Sequence, residues 1–294
     1  MPGFTIAHFT DAHLPLHGGF APLELLGKRG LSALNWARRR SRLHLRAVAE
    51  ALRDDILAHR PDHVTMTGDA VNFGLPREFA AAASWLSGFG PPETLSFVPG
   101  NHEAIAPGAE AAREAAYAPF TRGEQPDGAW PVLRRFGPVA LFGVTTAIPT
   151  APFLAQGEAG AAQIRALRRA LGAAAGLCRI VLIHHPPTEL ARPRKALRDR
   201  AALSAAIAEA GAAIVLHGHD HRNELSWIDG AAGRISVLGC PSASTPPGRG
   251  AAPAEWRFLR VRETEAGWRI EILRRALGPA GFADRGRFTL TSPR

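Results

Sequence analysis

The chain has 294 residues, 46% of them hydrophobic, which is enough to bury a large core. We expect one domain over residues 1–294. No apolar run approaches the roughly 20 residues that a membrane-spanning helix needs, so the composition excludes a helical membrane protein. The net charge of +9 favours anionic partners, and two cysteines are too few for a disulfide framework. We therefore expect a cytoplasmic protein, and the sequence leaves its oligomeric state open.

A basic, partly apolar segment, residues 14–46, follows the first predicted strand at Phe4–Ile6. We call it the insert and expect it to be helical. Its basic residues oppose Glu24 alone; they are Lys28, Arg29, Arg38, Arg39, Arg40, Arg42 and Arg46. Its large apolar residues are Phe20, Leu23, Leu25, Leu26, Leu31, Leu34 and Trp36.

Two interpretations of the insert stay open. It is a cap that packs its leucines on the body and turns its arginines to water. Alternatively, it is a peripheral contact with an anionic membrane surface such as the inner membrane, with Trp and Leu inserted and Arg paired to lipid phosphates.

Further along the chain, helical and strand patterns alternate. Apolar residues recur at helical spacing at Leu45, Val48, Leu52 and Ile56, and again at Ile164, Leu167 and Leu171, which predicts helices that cover a sheet. Short β-branched runs at 64–67, 180–183 and 214–216 predict buried strands. Near the C-terminus, residues 255–274 predict a hairpin that completes the second sheet, with a bulge at Phe258-Leu259.

Most of the predicted strands lead into a polar motif. In chain order the motifs are Asp11-Ala12-His13, Gly68-Asp69, Gly100-Asn101-His102-Glu103, His184-His185 and Gly218-His219-Asp220-His221. In an open α/β sheet, sites form at the edge where the strands end, so we expect these residues to gather there. They supply more metal ligands than one ion can use. The sequence therefore predicts a two-metal site, and two cations can hold a phosphoryl group and activate water for attack on it.

These five motifs resemble those of the calcineurin-like metallophosphoesterase superfamily, from about Phe4 to about His221. Three blocks, Gly-Asn-His-Glu, His-His-Pro-Pro and Gly-His-x-His, resemble the bacterial cyclic-nucleotide phosphodiesterase (class III) branch. The resemblance implies an α/β fold, a four-layer sandwich of two mixed β-sheets flanked by α-helices. It also implies two divalent ions, Mn, Fe or Zn. One set of ligands is Asp11, His13 and His221, the other is Asn101, His184 and His219, and Asp69 bridges the two ions.

Three further histidines, His102, His185 and His17, are candidates for contacts with the substrate or with the metal ligands. The resemblance implies that His102 is catalytic together with Asp69, either as proton donor to the leaving group or as a clamp on the phosphate. Asn72 stands where relatives often carry an Asp that orients this histidine, and Glu103 is a possible second partner. We expect His185 to contact a metal ligand or the substrate. His17, in a Pro/Gly loop, is a candidate substrate contact or a plain surface residue.

Four functions stay open. The preferred one is a phosphodiesterase that hydrolyses a cyclic nucleotide or another small anionic phosphodiester by metal-activated hydroxide attack. The alternative is a hydrolase of a lipid-linked phosphodiester or pyrophosphate of the lipid A pathway type, which the insert favours. A nuclease is disfavoured because the insert lacks aromatic side chains interleaved with its arginines for stacking bases. A scaffold without catalysis is disfavoured because all five motifs are intact.

Overall fold

A computed structural model describes residues 3–125, 129–188 and 192–294. Within them the chain forms α-helices and two β-sheets. The helices are α1 Lys28–Arg38, α2 Arg46–Ala58, α3 Pro76–Ser87, α4 Glu110–Thr121, α5 Ala161–Ala173 and α6 Arg200–Ala210. The strands are β1 Phe4–Phe9, β2 His63–Met66, β3 Leu95–Phe97, β4 Val132–Phe136, β5 Val139–Val144, β6 Cys178–Ile183, β7 Ile214–His217, β8 Glu224–Gly230, β9 Gly233–Gly239, β10 Glu255–Thr264, β11 Gly267–Gly278 and β12 Gly281–Ser292.

Both sheets are mixed. The first has the order β12-β11-β10-β1-β2-β3, in which β1, β2 and β3 are parallel and β10 to β12 are antiparallel. The second has the order β4-β5-β6-β7-β9-β8, with parallel pairing from β5 to β9 and antiparallel strands at both edges. The predicted pair of mixed sheets flanked by helices is confirmed.

Three apolar clusters separate four layers. Ile6 of β1 lies in the cluster between the sheets, whereas its neighbour Ala7 lies in the cluster with Leu52 of α2, as strand alternation requires. A third cluster joins the second sheet to α5 and α6 through Leu167 and Leu203. Each fully buried Leu or Ile contributes about 1.5–3 kcal/mol relative to exposure. The predicted helices at 45–56 and 164–171 therefore cover the two outer sheet faces.

The predicted C-terminal hairpin is present as β10 and β11, but three details differ from the prediction. It joins the sheet of β1 and not the second sheet, and a third strand, β12, extends it. The predicted bulge at Phe258-Leu259 was wrong, because the register of β10 runs unbroken with both neighbours. Arg257 explains the error. It is fully buried and ion-paired with Glu255, so a charged residue occupies an inward position where the alternation of apolar and polar residues predicts an apolar one.

The insert is helical as predicted, with α1 flanked by 3₁₀ turns at Pro22–Leu25 and Arg40–Arg42. Phe20 and Trp36 pack edge-on against Phe73 of the body. The leucines of the insert do not pack on the body. Those that are exposed are Leu23, Leu25, Leu26, Leu31 and Leu34. The cap interpretation, in which the leucines pack on the body, was therefore wrong for these five residues.

Several cations of the insert face the body instead. Arg29 donates to the carbonyl oxygens of Phe73 (3.0 Å) and Gly74 (3.1 Å), and Lys28 donates to that of Leu154 (2.8 Å). These bonds hold α1 with its outer, leucine-bearing side in water. None of the helices in the described residues is both long and apolar enough to cross a membrane.

Candidate metal centre

The five motifs meet where strands of both sheets end. Asp11 follows β1, Asp69 follows β2, His184 follows β6 and His219 follows β7. The first two strands belong to one sheet and the last two to the other, so the site lies at a shared edge and not at the edge of one sheet. All seven predicted ligands come together there. Those that are buried are Asp11, His13, Asp69, Asn101, His184 and His219, while His221 is half-buried.

One group of ligand atoms comes from the first and last motifs. Nε2 of His221 lies 3.1 Å from Oδ1 of Asp11 and 3.2 Å from Nε2 of His13. Nε2 of His13 lies 3.6 Å from the same Asp11 oxygen. These three residues are the predicted ligands of one ion, and their donor atoms converge on one small volume.

The second group is centred on His184. Its Nε2 lies 3.3 Å from Oδ1 of Asn101, and its ring contacts that of His219 with the centroids 5.1 Å apart. The predicted ligands of the other ion are thus neighbours too.

Asp69 joins the two groups through one oxygen. Its Oδ2 lies 3.3 Å from Nε2 of His184 and 3.9 Å from Nε2 of His13. Its Oδ1 accepts the backbone N–H of His102 at 2.8 Å. Oδ2 of Asp69 therefore lies between the two groups, where the predicted bridge would be, while Oδ1 fixes the carboxylate to the Gly100-Asn101-His102 turn.

The ring nitrogens that face away from the centre are held by backbone carbonyls. Nδ1 of His184 donates to Thr67 (2.7 Å), Nδ1 of His13 to Val71 (3.2 Å) and Nε2 of His219 to Lys195 (3.0 Å). Such bonds fix the tautomer of metal-ligating histidines and leave the other nitrogen's lone pair free. The donor set, imidazole nitrogens with carboxylate and amide oxygens, fits two divalent transition ions.

Electrostatics also favour cations here. Burial opposes charge on His184, but the carboxylates of Asp69 and Asp11 outweigh burial and raise the pKa of this imidazole to about 10. The buried carboxylates thus draw positive charge to the place where the ligand atoms meet.

Backbone strain is concentrated in the same motifs. Asp11, His13, Asp69, His219 and His221 all have positive φ, between 42° and 73°, a conformation that is uncommon for residues other than glycine, although Asp and His adopt it more often than most. The motif glycines are needed because the turns are crowded. A Cβ on Gly100 would lie 2.3 Å from Oδ1 of Asp69, and one on Gly218 would lie 2.0 Å from Oγ1 of Thr10.

Glu103 braces the turn that carries Asp69. Its carboxylate accepts the backbone N–H groups of Asp69 (2.9 Å), Ala70 (2.7 Å) and Gly100 (2.7 Å). Burial and the nearby Asp69 carboxylate raise the pKa of Glu103 to about 7. The hydrogen bonds of Glu103 therefore go to the loop backbone. The expected contact between Glu103 and His102 is not observed.

His102 is oriented by a backbone group and by an arginine that the sequence did not reveal. Its Nδ1 donates to the carbonyl oxygen of Asn72 (2.7 Å), whereas the Asn72 amide donates to Leu14. Nε2 of His102 accepts from Nη1 of Arg40 at 2.7 Å, and Nη2 of Arg40 lies 3.0 Å from Nε2 of His13. Burial, then Arg40, hold the pKa of His102 well below its usual range. His102 is thus a neutral acceptor in this arrangement.

His44 is the other site residue that sequence reasoning missed. Its ring lies 4.5 Å from that of His13 and 5.6 Å from that of His221, and its Nδ1 bonds Ser244 at 2.9 Å. With His13 and His221 it forms a group able to hold a metal ion. Arg40 and His44 lie outside every motif. They are four residues apart, about one helical turn, and this spacing is the only signal in the sequence that both side chains point the same way.

The two other predicted substrate contacts differ in position. His185 is fully buried, and its ring nitrogens bond Thr146 (2.7 Å) and the carbonyl of Ala155 (3.2 Å), so both are used within the protein. Its ring packs 4.3 Å from that of His219, which fits support of that ligand. His17 is exposed and accepts from Arg46 at 2.8 Å, so its contact with substrate stays a prediction.

Comparison with solved structures gives the same fold. A purple acid phosphatase from yellow lupin (Lupinus luteus) matches 97% of this chain with a TM-score of 0.57 and 10% identity, and this chain spans 53% of its length. GAP50, described as the anchor in the inner membrane complex of Plasmodium, matches the whole chain with a TM-score of 0.55 and 10% identity over 90% of its own length. At these identities the likeness concerns the fold alone.

Comparison by sequence assigns the family. No curated protein matches significantly. The family model for calcineurin-like phosphoesterases, however, matches residues 4–223, which include all five motifs. Members of this family typically bind two divalent metals, and the clustered His and Asp side chains described above are able to hold them. The chain therefore belongs to the calcineurin-like phosphoesterase family.

Proposed function

We propose that this protein is a dinuclear metal-dependent phosphodiesterase that hydrolyses a small anionic phosphodiester, with cyclic nucleotides as the first class to test. The position of Asp69 Oδ2, between Nε2 of His184 at 3.3 Å and Nε2 of His13 at 3.9 Å, carries the proposal. A carboxylate placed between two ligand groups suits a site that holds two ions.

The protein's own residues would prepare the phosphate for attack. Two divalent cations held by the seven predicted ligands would lower the pKa of a bound water and neutralise charge on phosphoryl oxygens. Arg40 adds a guanidinium beside His102 and the first ligand group, where it can donate to a phosphoryl oxygen when a substrate arrives. His102, a neutral acceptor held by Asn72, keeps Arg40 aimed at the centre.

This geometry favours one of the two roles considered for His102. Nε2 of His102 accepts from Nη1 of Arg40, so this nitrogen carries no proton that it could give to a leaving group, and burial and Arg40 also lower the pKa of the ring. We therefore assign His102, together with Arg40, to binding and positioning the phosphate.

The preference for a diester comes from the resemblance of three motifs to the cyclic-nucleotide branch. Nucleic acid, double-stranded or single-stranded, is a less suitable substrate for this protein. Trp36, the large aromatic side chain of α1, is stacked on His44 and packed on Phe73, so it is not available for a base.

A hydrolysis panel tests the proposal. Protein reconstituted with Mn, Fe or Zn is assayed on a phosphomonoester, a chromogenic diester, cyclic nucleotides, a nucleotide-sugar lipid and DNA, with Asp69→Asn as the matched control. We expect turnover of diesters above the other classes and no cleavage of DNA. Absence of hydrolysis in protein that holds two metals would overturn the proposal.

A further inference from the structure

The outer side of the insert is an exposed apolar surface. Nine large hydrophobic side chains are exposed among the described residues, and five of them are the insert leucines at 23, 25, 26, 31 and 34. Leu23 is 80% exposed and Leu26 is 67% exposed. Single exposed leucines are common on soluble proteins, but a concentration of this kind in one short segment marks an interaction surface.

Phe153 extends this surface from the body. It is 76% exposed and has φ of 68°, a conformation that bulky side chains rarely adopt. The next residue, Leu154, accepts from Lys28 of α1, which fixes the Phe153 loop to the insert. We call the five leucines and Phe153 the apolar patch.

Positive charge accompanies the patch. Arg38, Arg39 and Arg42 are exposed, and Arg38 follows Leu31 and Leu34 at i+7 and i+4, on the same side of α1. Residues 25–49 contain no Asp or Glu, and Glu24 is already paired with Arg77. Exposed leucines beside unpaired arginines fit the surface of an anionic bilayer. There the leucines would meet the apolar acyl region and the arginines the anionic headgroups.

The same charges disfavour a second copy of this chain as the occupant. In a two-fold symmetric dimer the patch would face itself, and the arginines of one insert would face those of the other. With no free acidic residue in the insert, those charges would repel.

We propose that the insert binds the surface of an anionic lipid bilayer, with the apolar patch at the acyl boundary and Arg38, Arg39 and Arg42 on lipid phosphates. The opposite side of the insert carries Arg40 into the metal centre. A phosphodiester present at the membrane surface would therefore meet the metal centre there. This second step rests on the proposed function, whereas bilayer binding itself does not.

Sedimentation with vesicles tests the proposal without any assay of activity. Phosphatidylcholine vesicles are compared with vesicles that also contain phosphatidylglycerol. The patch variant replaces Leu23, Leu26, Leu31 and Leu34 by Ser; the matched control replaces Leu57, Leu225 and Trp227, which are exposed outside the insert, by Ser. A charge variant replaces Arg38, Arg39 and Arg42 by Ser and leaves Arg40 intact.

The parent and the control should sediment with the anionic vesicles, and added salt should weaken this binding. The charge variant should bind on the order of a hundredfold more weakly, because each charge near such a surface contributes about 1 kcal/mol. The patch variant should lose roughly tenfold or more for each inserted leucine. Thermal melting shows whether each variant is folded.

Three results would overturn the proposal: no sedimentation of the parent, equal loss in the control, or a parent dimer that the patch variant dissociates. The last would identify a second copy as the occupant. Hydrolysis of the soluble chromogenic diester, measured in parallel, reports on the proposed function separately. That function can fail while vesicle binding persists, and the reverse also holds.

Discussion

At the scale of single residues, Arg40 distinguishes this centre from a bare set of metal ligands. It comes from the insert and bonds His102, a motif histidine that the family resemblance leaves off the metals. Its guanidinium lies beside the predicted ligands of metal cations, and two positive charges so close together repel each other. The phosphate of a bound substrate would lie between them and offset that repulsion.

We expect Arg40→Gln to lower kcat/KM for the chromogenic diester about ten- to hundredfold, which is the loss of one charge-assisted hydrogen bond to a buried group. Metal content should stay the same or rise, because a competing positive charge is removed. The matched control is Arg39→Gln, whose side chain is exposed. Equal activity in the two variants would show that Arg40 does not contact the substrate.

His102 gives a second test at this scale. If it positions the phosphate, His102→Ala should slow hydrolysis of p-nitrophenyl and alkyl diesters by similar factors, with metal content intact. If it donates a proton, the loss should be confined to alkyl diesters, because their leaving oxygens need protonation. The ratio of the two losses therefore decides between the roles.

At the scale of elements, the strand-to-motif turns hold the ligands in strained backbone conformations, and their glycines leave no room for a side chain. Gly100→Ala would place a methyl group 2.3 Å from Oδ1 of Asp69 and 2.8 Å from Cε1 of His184. We expect it to displace predicted ligands of both ions, reduce metal content and cost about 1–3 kcal/mol of stability through overpacking.

The control for this prediction is Gly172→Ala, in α5. Nothing lies within 4 Å of a Cβ at that position. There the same substitution should raise stability by up to about 1 kcal/mol, because alanine is the better helix former. Metal analysis and thermal melting of the two variants check the prediction, and unchanged metal content in Gly100→Ala would contradict it.

At the scale of the whole molecule, several strands, the covering helices α2 and α5 and the ligand motifs could be predicted because each has a local signal, whereas the two-sheet sandwich was expected from the family resemblance. Apolar periodicity identifies α2 and α5, and each ligand lies within a few residues of a strand end. Arg40 and His44 could not be found in this way. Both reach the centre through contacts with residues that are far away in sequence: Arg40 bonds His102 and His44 bonds Ser244.

The orientation of the insert is a second feature that the sequence could not predict. Helical spacing places Leu31, Leu34 and Arg38 on one side of α1, but it does not say which side faces the body. The bonds of Lys28 and Arg29 to body carbonyls decide that, and they turn the leucines outward. Arg257 shows the same limit in β10, where a buried ion pair replaces the apolar residue that alternation predicts.

We propose that seven side chains from five motifs form one two-metal hydrolytic centre. Elemental analysis combined with diester hydrolysis, before and after chelation, tests it most directly. We expect two transition ions per chain, loss of hydrolysis when they are removed, and recovery when they are restored. Asp69→Asn should hold fewer ions and have little activity, because the oxygen between the two ligand groups becomes neutral. A fully active preparation with one ion per chain, or none, would contradict the account.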